Sequence, residues 1–223
     1  MQKYVVIVAG GSGTRMKREI PKQFIPVAGK PILMHTLEAF YKISDQIKII
    51  LVLPESQMLG WKSLCAQYGF DLPHACTVGG ETRFHSVKNG LAQINGDGVV
   101  AIHDGVRPLV SEQIILNSFA IAEQKGNAIT AVALKDSIRW TDGKDNKVMD
   151  RNDYQLIQTP QTFQVQLIKG AFNRDHDPSF TDDATVLEAT GVKINLIEGD
   201  YSNIKITTPE DLAVAESLLK KQS

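Results

Sequence analysis

Cysteine is scarce in this chain of 223 residues, which has only Cys65 and Cys76. Two cysteines so spaced supply neither a disulfide framework nor a zinc site, so reduced thiols in a cytosol are expected. Long hydrophobic runs are also missing. The apolar run Tyr4–Ala9 (YVVIVA) meets glycines at once and is too short for a signal sequence or a membrane span. Nor is there an excess of either charge. The 24 Lys and Arg against 25 Asp and Glu leave a formal net charge of −1, which gives no footprint for nucleic acid or a membrane surface. An anionic ligand would have to be held by locally clustered cations. These absences indicate a cytoplasmic protein that engages neither nucleic acid nor membrane.

What is present is ordinary in bulk: 43% apolar and 22% charged residues, enough to bury a sizeable core. Near-continuous apolar runs at Tyr4–Ala9, Ile47–Leu53, Gly98–Ile102 and Ala128–Leu134 suit strands covered on both faces. Helical stripes lie between them. Pro31 opens one with Ile32, Leu33, Leu37, Phe40 and Ile43, and residues 82–94 and 111–124 carry similar faces. The last helix has Thr208 as cap, Pro209 in the first turn, and a stripe of Leu212, Ala215, Leu218 and Leu219. This alternation predicts a doubly wound, mostly parallel α/β sheet with its ligand crevice at the carboxyl ends of the strands. Residues 135–155 are polar and break the pattern. With Asp142-Gly143 as the turn, they read as a hairpin arm projecting from one domain that spans 1–223.

The segment Ala9-Gly10-Gly11-Ser12-Gly13-Thr14-Arg15-Met16 follows the first strand directly. Glycines there let backbone N–H groups approach phosphate oxygens, although tight turns need glycine too. Two familiar loops are excluded. A dinucleotide fingerprint beginning at Gly11 needs glycine where Met16 stands, and Gly29-Lys30 runs into Pro31 where a P-loop needs Ser or Thr. The distinctive feature is a basic continuation, Arg15, Lys17 and Arg18, then Pro21-Lys22-Gln23, with an immediate return to apolar Phe24-Ile25.

The stretch Val8–Gln23 (VAGGSGTRMKREIPKQ) resembles the opening of the nucleotidyltransferases that activate sugar and polyol phosphates. Further blocks follow in order over essentially the whole chain: Gly79–Val87 (GGETRFHSV), His103–Pro108 (HDGVRP), Asp150-Arg151-Asn152, Gln158–Gln161 (QTPQ), Thr181-Asp182-Asp183 and Asn203–Thr207 (NIKIT). Together they resemble the cytidylyltransferase family that acts on 2-C-methyl-D-erythritol 4-phosphate. Ribitol-5-phosphate cytidylyltransferases share most of these blocks. Where that family usually has Ala, this chain has Gly105 and Val106, with local effects expected on the loop that meets the ribose.

The resemblance implies a nucleotidyltransferase, Rossmann-like fold and transfer of CMP from CTP to the polyol phosphate, with release of pyrophosphate, in non-mevalonate isoprenoid biosynthesis. The nucleophile is already an anionic phosphate oxygen, so positioning and electrostatic stabilisation should dominate. By resemblance, Arg15 and Lys22 stabilise the α-phosphate, with Ala9, Gly10, Gly11 and Gly13 cradling the nucleotide. Gly79, Gly80, Arg83 and Ser86 enclose the cytosine; without the resemblance, Ser86 reads as a helix-surface serine. Asp104, at the crevice edge, suits Mg²⁺ or another divalent cation; it could also cap a turn or meet the ribose. Arg151 and Lys205 resemble the pair that holds the co-substrate phosphate, with Ser137 and Thr181 adding hydroxyl contacts. Lys205 is placed in a short strand, Ile204–Ile206. In such enzymes the arm, at about 136–155, reaches a neighbouring subunit, implying a homodimer in which Arg151 serves the partner's site. His85 and His103 read as structural, because the mechanism needs no base. Molybdenum-cofactor guanylyltransferases share the glycine-loop opening but not the later blocks. A non-catalytic nucleotide-sensing domain would have little reason to keep Arg15, Lys22 and Lys205 together.

Overall fold

The computed structural model describes residues 1–10 and 20–222. β1 (Lys3–Val8) leads through a short antiparallel pair, β2 (Pro26–Val27) and β3 (Lys30–Pro31), into α1 (Ile32–Tyr41). Then come β4 (Lys48–Leu53), α2 (Glu55–Tyr68), β5 (Ala75–Val78), α3 (Arg83–Ala92), β6 (Val99–Asp104), α4 (Glu112–Lys125) and β7 (Asn127–Ala133). A hairpin of β8 (Ile138–Thr141) and β9 (Asn146–Met149) precedes β10 (Gln155–Gln164), α5 (Val165–Ala171), α6 (Asp183–Glu188), β11 (Leu196–Glu198) and α7 (Pro209–Gln222).

Seven strands form one sheet in the order β11-β7-β10-β6-β1-β4-β5, parallel except for β10, which runs antiparallel to both neighbours. The apolar strands are continuous because both faces are covered. In β1, Val5 and Ile7 join Leu33, Leu37, Phe40, Trp61 and Phe119 on one face. Tyr4 and Val6 join Phe84, Val87, Phe163 and Phe172 on the other. A third cluster packs α7, through Ala215 and Leu219, against Ile25, Val27, Ile32, Val106 and Ile206. Thr208 Oγ1 accepts from Asp211 N at 3.4 Å, and the Asp211 carboxylate accepts from Thr207 N and Thr208 N, which closes the predicted cap. Among the described residues no helix is long and apolar enough to cross a membrane.

Three details depart from the sequence reading. Lys205 is not in a strand: one backbone bond, Ile206 N to Val106 O at 2.9 Å, ties its segment down, and a single bond makes no ladder. The hairpin turn is wider than Asp142-Gly143, running from Asp142 to Asp145, because Asp142 Oδ1 accepts from both Lys144 N and Asp145 N. The polar strand β10 and the helix α2 carry no clear sequence signal. β10 is buried because its side chains find partners: Gln161 donates to Asp182 and accepts from Ala184 N, and Thr162 donates to Ser118. Pro160 falls where the β7–β10 register shifts between Ile157 and Gln161, the place a central strand tolerates proline.

Candidate active site

The sheet reverses its winding at β1, with β4 on one side and β6 on the other, and Val8 at the end of β1 lies in register with Asp104 at the end of β6. Ligands of open α/β sheets bind at such a switch point. A cavity of about 490 Å³ opens there, lined by Ala9, Gly10, Lys22, Gly79, Gly80, Arg83, Ser86, Asp104 and Lys205, with Gln23 and Glu55.

Asp104 is its electrostatic centre. Oδ2 lies 3.0 Å from Lys205 Nζ and 3.2 Å from Arg107 Nε, and Oδ1 lies 3.8 Å from Arg83 Nε. Burial pushes this carboxyl up, but Arg83, Lys205 and Arg107 together hold it well below the usual carboxylate range. Arg83 forks onto the buried Asp183 at 2.8 and 2.6 Å. Burial would lower the guanidinium pKa, yet Asp183 with Asp104 and Asp182 raises it. Burial raises the Asp183 carboxyl, and Arg83 offsets this only in part.

Behind Asp104 a neutral network fixes the cations. Asp104 N donates to Thr159 Oγ1 at 3.0 Å, which pairs with His103 Nδ1 at 3.1 Å, while His103 Nε2 lies 3.1 Å from Arg107 O. Burial drives the His103 pKa down to about 4, so the ring is neutral, donating from Nε2 and accepting at Nδ1. Arg107 Nη1 donates to Asn203 O at 2.8 Å, and Asn203 Nδ2 donates to Gln158 Oε1 and Thr159 O. Lys205 is therefore aimed by a segment pinned two residues earlier.

The base-side wall is the β5–α3 junction. Ser86 Oγ accepts from Gly80 N at 3.1 Å and donates to Thr82 O at 3.0 Å, so the hydroxyl folds this loop as well as facing the cavity. A Cβ at Gly79 would stand 2.9 Å from Ser86 Oγ, and one at Gly80 only 2.3 Å from His85 Cβ. Both glycines are there for close packing against α3. Among the described residues, the nearest atom to a Cβ at Gly10 would be Ser86 Oγ, 3.9 Å away. His85 Nδ1 pairs with Thr82 Oγ1 at 2.9 Å, in keeping with a structural part.

Gly11, Gly13 and Arg15 lie outside the described residues. Lys22, in a single 3-10 turn Lys22–Phe24, faces the cavity. Thr181 is exposed and lines a small crevice that shares Arg83 and Asp183. Ser137 and Arg151 are exposed at the base of the arm, away from this chain's cavity, and Arg151 Nη1 donates to Lys135 O. At Gly105 the backbone packs closely: a Cβ would stand 2.9 Å from Ala9 Cβ and 3.0 Å from Leu33 Cδ1. Sequence reasoning gave no part to Arg107, Gln158 or the Arg83–Asp183 pair. The last joins residues a hundred positions apart, which no local periodicity reveals.

The mixed, mostly parallel sheet, with cations and glycine backbones at its switch point, defines an α/β nucleotidyltransferase-like fold. The family model for 2-C-methyl-D-erythritol 4-phosphate cytidylyltransferase matches residues 3–221, and the chain belongs to that family. The enzyme of that name from Bacteroides fragilis is 51% identical over 219 residues, covering 98% of this chain and all of the relative. Its counterpart from Phocaeicola vulgatus is 50% identical over the same span. Among solved structures, the 4-diphosphocytidyl-2C-methyl-D-erythritol synthase of Anaerococcus prevotii superposes with a TM-score of 0.82 at 30% identity, covering 97% of this chain and 95% of that one.

Proposed function

We propose that this cavity transfers the CMP unit of CTP to 2-C-methyl-D-erythritol 4-phosphate, the cytidylyl transfer of non-mevalonate isoprenoid biosynthesis, and releases pyrophosphate. A phosphate oxygen of the polyol forms a new bond to the α-phosphorus of CTP, and the bond from that phosphorus to the bridging oxygen breaks. Pyrophosphate leaves with the electron pair. The nucleophile is anionic at neutral pH, so no proton need be removed, and the one histidine beside Asp104 is buried and neutral.

The observation that carries the reading is the trio Lys22, Arg83 and Lys205 facing one cavity at the switch point. Lys22, with Arg15, stabilises charge growing on the α-phosphate. The β5–α3 junction encloses the cytosine. Lys205 binds the polyol phosphate together with Arg151 of the partner subunit, and Ser137 and Thr181 add hydroxyl contacts. The homodimer reading is supported by an arm that exposes Trp140 and Val148, since an isolated two-stranded hairpin is marginal in water.

For a divalent cation, among the described residues no group of three or more His, Cys, Asp or Glu is poised as a cage. A single ionised carboxylate, with Arg83 Nε 3.8 Å from its Oδ1, fits Mg²⁺ carried in on the triphosphate. Asp104 would hold it, and the ion would neutralise charge on the phosphates. The chain acts in the cytosol, where its CTP is; burial pushes the Cys65 thiol up to about 11, in keeping with an unreactive reduced thiol.

The test is pyrophosphate release with Mg²⁺, CTP and either methylerythritol phosphate or ribitol phosphate. Turnover is expected with the first. Release with ribitol phosphate alone, or with neither, would overturn the reading.

A further inference from the structure

We infer that Gln57, on α2, is a positioning residue for Lys22 and acts through Gln23; the inference rests on the part given to Lys22 above. A single 3-10 turn cannot hold a lysine in place by itself. Among the described residues its backbone bonds are Phe24 N to Pro21 O at 2.9 Å and Ile25 N to Lys22 O at 3.2 Å. The two side chains that follow Lys22 anchor the turn to the rest of the fold. Phe24 stacks on Trp61, with ring centroids 6.0 Å apart and planes inclined by 16°. Gln23, fully buried, donates from Nε2 to Ala9 O at 2.7 Å and to Gln57 Oε1 at 2.5 Å.

The geometry of these bonds is directional. Ala9 O can only accept, so the Gln23 amide must turn its nitrogen to the end of β1, and Gln57 must then present its oxygen. Gln57 and Trp61 stand four residues apart on α2, hence on one helical face, and they grip consecutive residues of the Lys22 turn. One face of α2 therefore fixes the distance between the end of β1, where the glycine loop begins, and the lysine facing the cavity.

Gln23 is a poor choice if stability were the only demand. Its Oε1 is buried without a hydrogen-bond partner among the described residues, and an orphaned buried acceptor is costly. An apolar side chain would fill the same volume without that cost. What the amide provides is a rigid two-ended tie, from Ala9 to α2, through the residue next to Lys22.

The test is steady-state kinetics on Gln57→Leu, Gln57→Glu, Lys22→Ala and the double variant Lys22→Ala/Gln57→Leu, each checked for cooperative unfolding. Gln57 is half-buried on a helix, so Leu keeps volume and helix while removing the acceptor. Gln57→Leu is expected to lower kcat about tenfold, with both KM values within about twofold. Gln57→Glu, which still accepts from Gln23, should keep kcat within about threefold. In the Lys22→Ala background Gln57→Leu should change kcat by less than about twofold, because a residue acting through Lys22 has nothing left to position. A Gln57→Leu enzyme with unchanged kcat overturns the inference, as does an equal loss in both backgrounds or a Gln57→Glu variant as slow as Gln57→Leu. Full turnover by Lys22→Ala would instead overturn the reading of Lys22 itself.

Discussion

A carboxylate with 9% of its side chain exposed would ordinarily drift toward its neutral form, but Asp104 meets Lys205 at 3.0 Å, Arg107 at 3.2 Å and Arg83 at 3.8 Å. Its folded pKa is depressed, so its stabilisation is present above the unfolded value of about 4 and is lost as pH falls below it. His103 titrates in a different window. Its folded value of about 4 lies under an unfolded value of about 6.5, so the chain loses stability as pH falls from 6.5 toward 4, by at most about 3 kcal/mol. His103→Gln keeps a donor for Arg107 O and an acceptor for Thr159, and should flatten that limb. Urea midpoints at pH 7 and pH 4.5 check this; parallel losses in both proteins would assign the limb elsewhere. For chemistry, Lys22→Ala should lower kcat by roughly a hundredfold while the protein stays folded. Turnover close to normal would remove Lys22 from the transition state. Gly105→Ala tests packing rather than charge. A methyl 2.9 Å from Ala9 Cβ must displace the end of β1, at a cost of about 1–3 kcal/mol in unfolding free energy. An unchanged midpoint would mean that the loop yields freely.

The junction between β5 and α3 is where one element shapes the reaction. Gly80 packs against His85 so closely that Gly80→Ala must push the loop off the helix and break the bond from Gly80 N to Ser86 Oγ. The KM for CTP should then rise about tenfold or more, read from initial rates at saturating polyol phosphate. A KM that does not move would show that this wall does not meet the nucleotide. That junction was legible in part, since residues 82–94 carry a helical stripe in the sequence, whereas the Thr82 cap that opens the helix came from the structure. The strands β1, β4, β6 and β7 were legible, because double coverage writes itself as unbroken apolar runs. β10 was not legible, since its burial depends on polar partners supplied by distant segments, Asp182 and Ser118 among them. α2 was not legible either, because Trp61 is its one fully buried side chain and its apolar stripe is thin. The candidate site divides the same way. The sequence motifs named Lys22, Asp104 and Lys205, whereas the ties that aim them, Gln23 to Gln57 and Asn203 to Gln158, exist only once the chain is folded.

At the scale of the whole molecule the single chain holds an apparent mismatch. Lys22, Arg83 and Lys205 share a cavity, while Arg151, which the family resemblance gives to the same phosphate as Lys205, stands exposed beside the arm. The arm is exposed along nearly its whole length, with Val148 at 73% and Trp140 at 49%, and so lacks the burial that would stabilise it alone. In the proposed homodimer, a second copy related by two-fold symmetry would resolve both points, with the arm of one subunit completing the cavity of the other. Arg151→Ala should raise the KM for the polyol phosphate and lower turnover, with CTP binding little changed. Mixing chains gives the sharper measurement. Arg151→Ala subunits keep an intact Lys22, and Lys22→Ala subunits keep an intact arm. After exchange, half of the dimers are mixed, and each mixed dimer has one site built from two unaltered parts. Activity should rise toward roughly a quarter of that of the unaltered protein, well above either variant alone. If subunit exchange is demonstrated and activity does not rise, Arg151 serves its own chain and the arm has some other use.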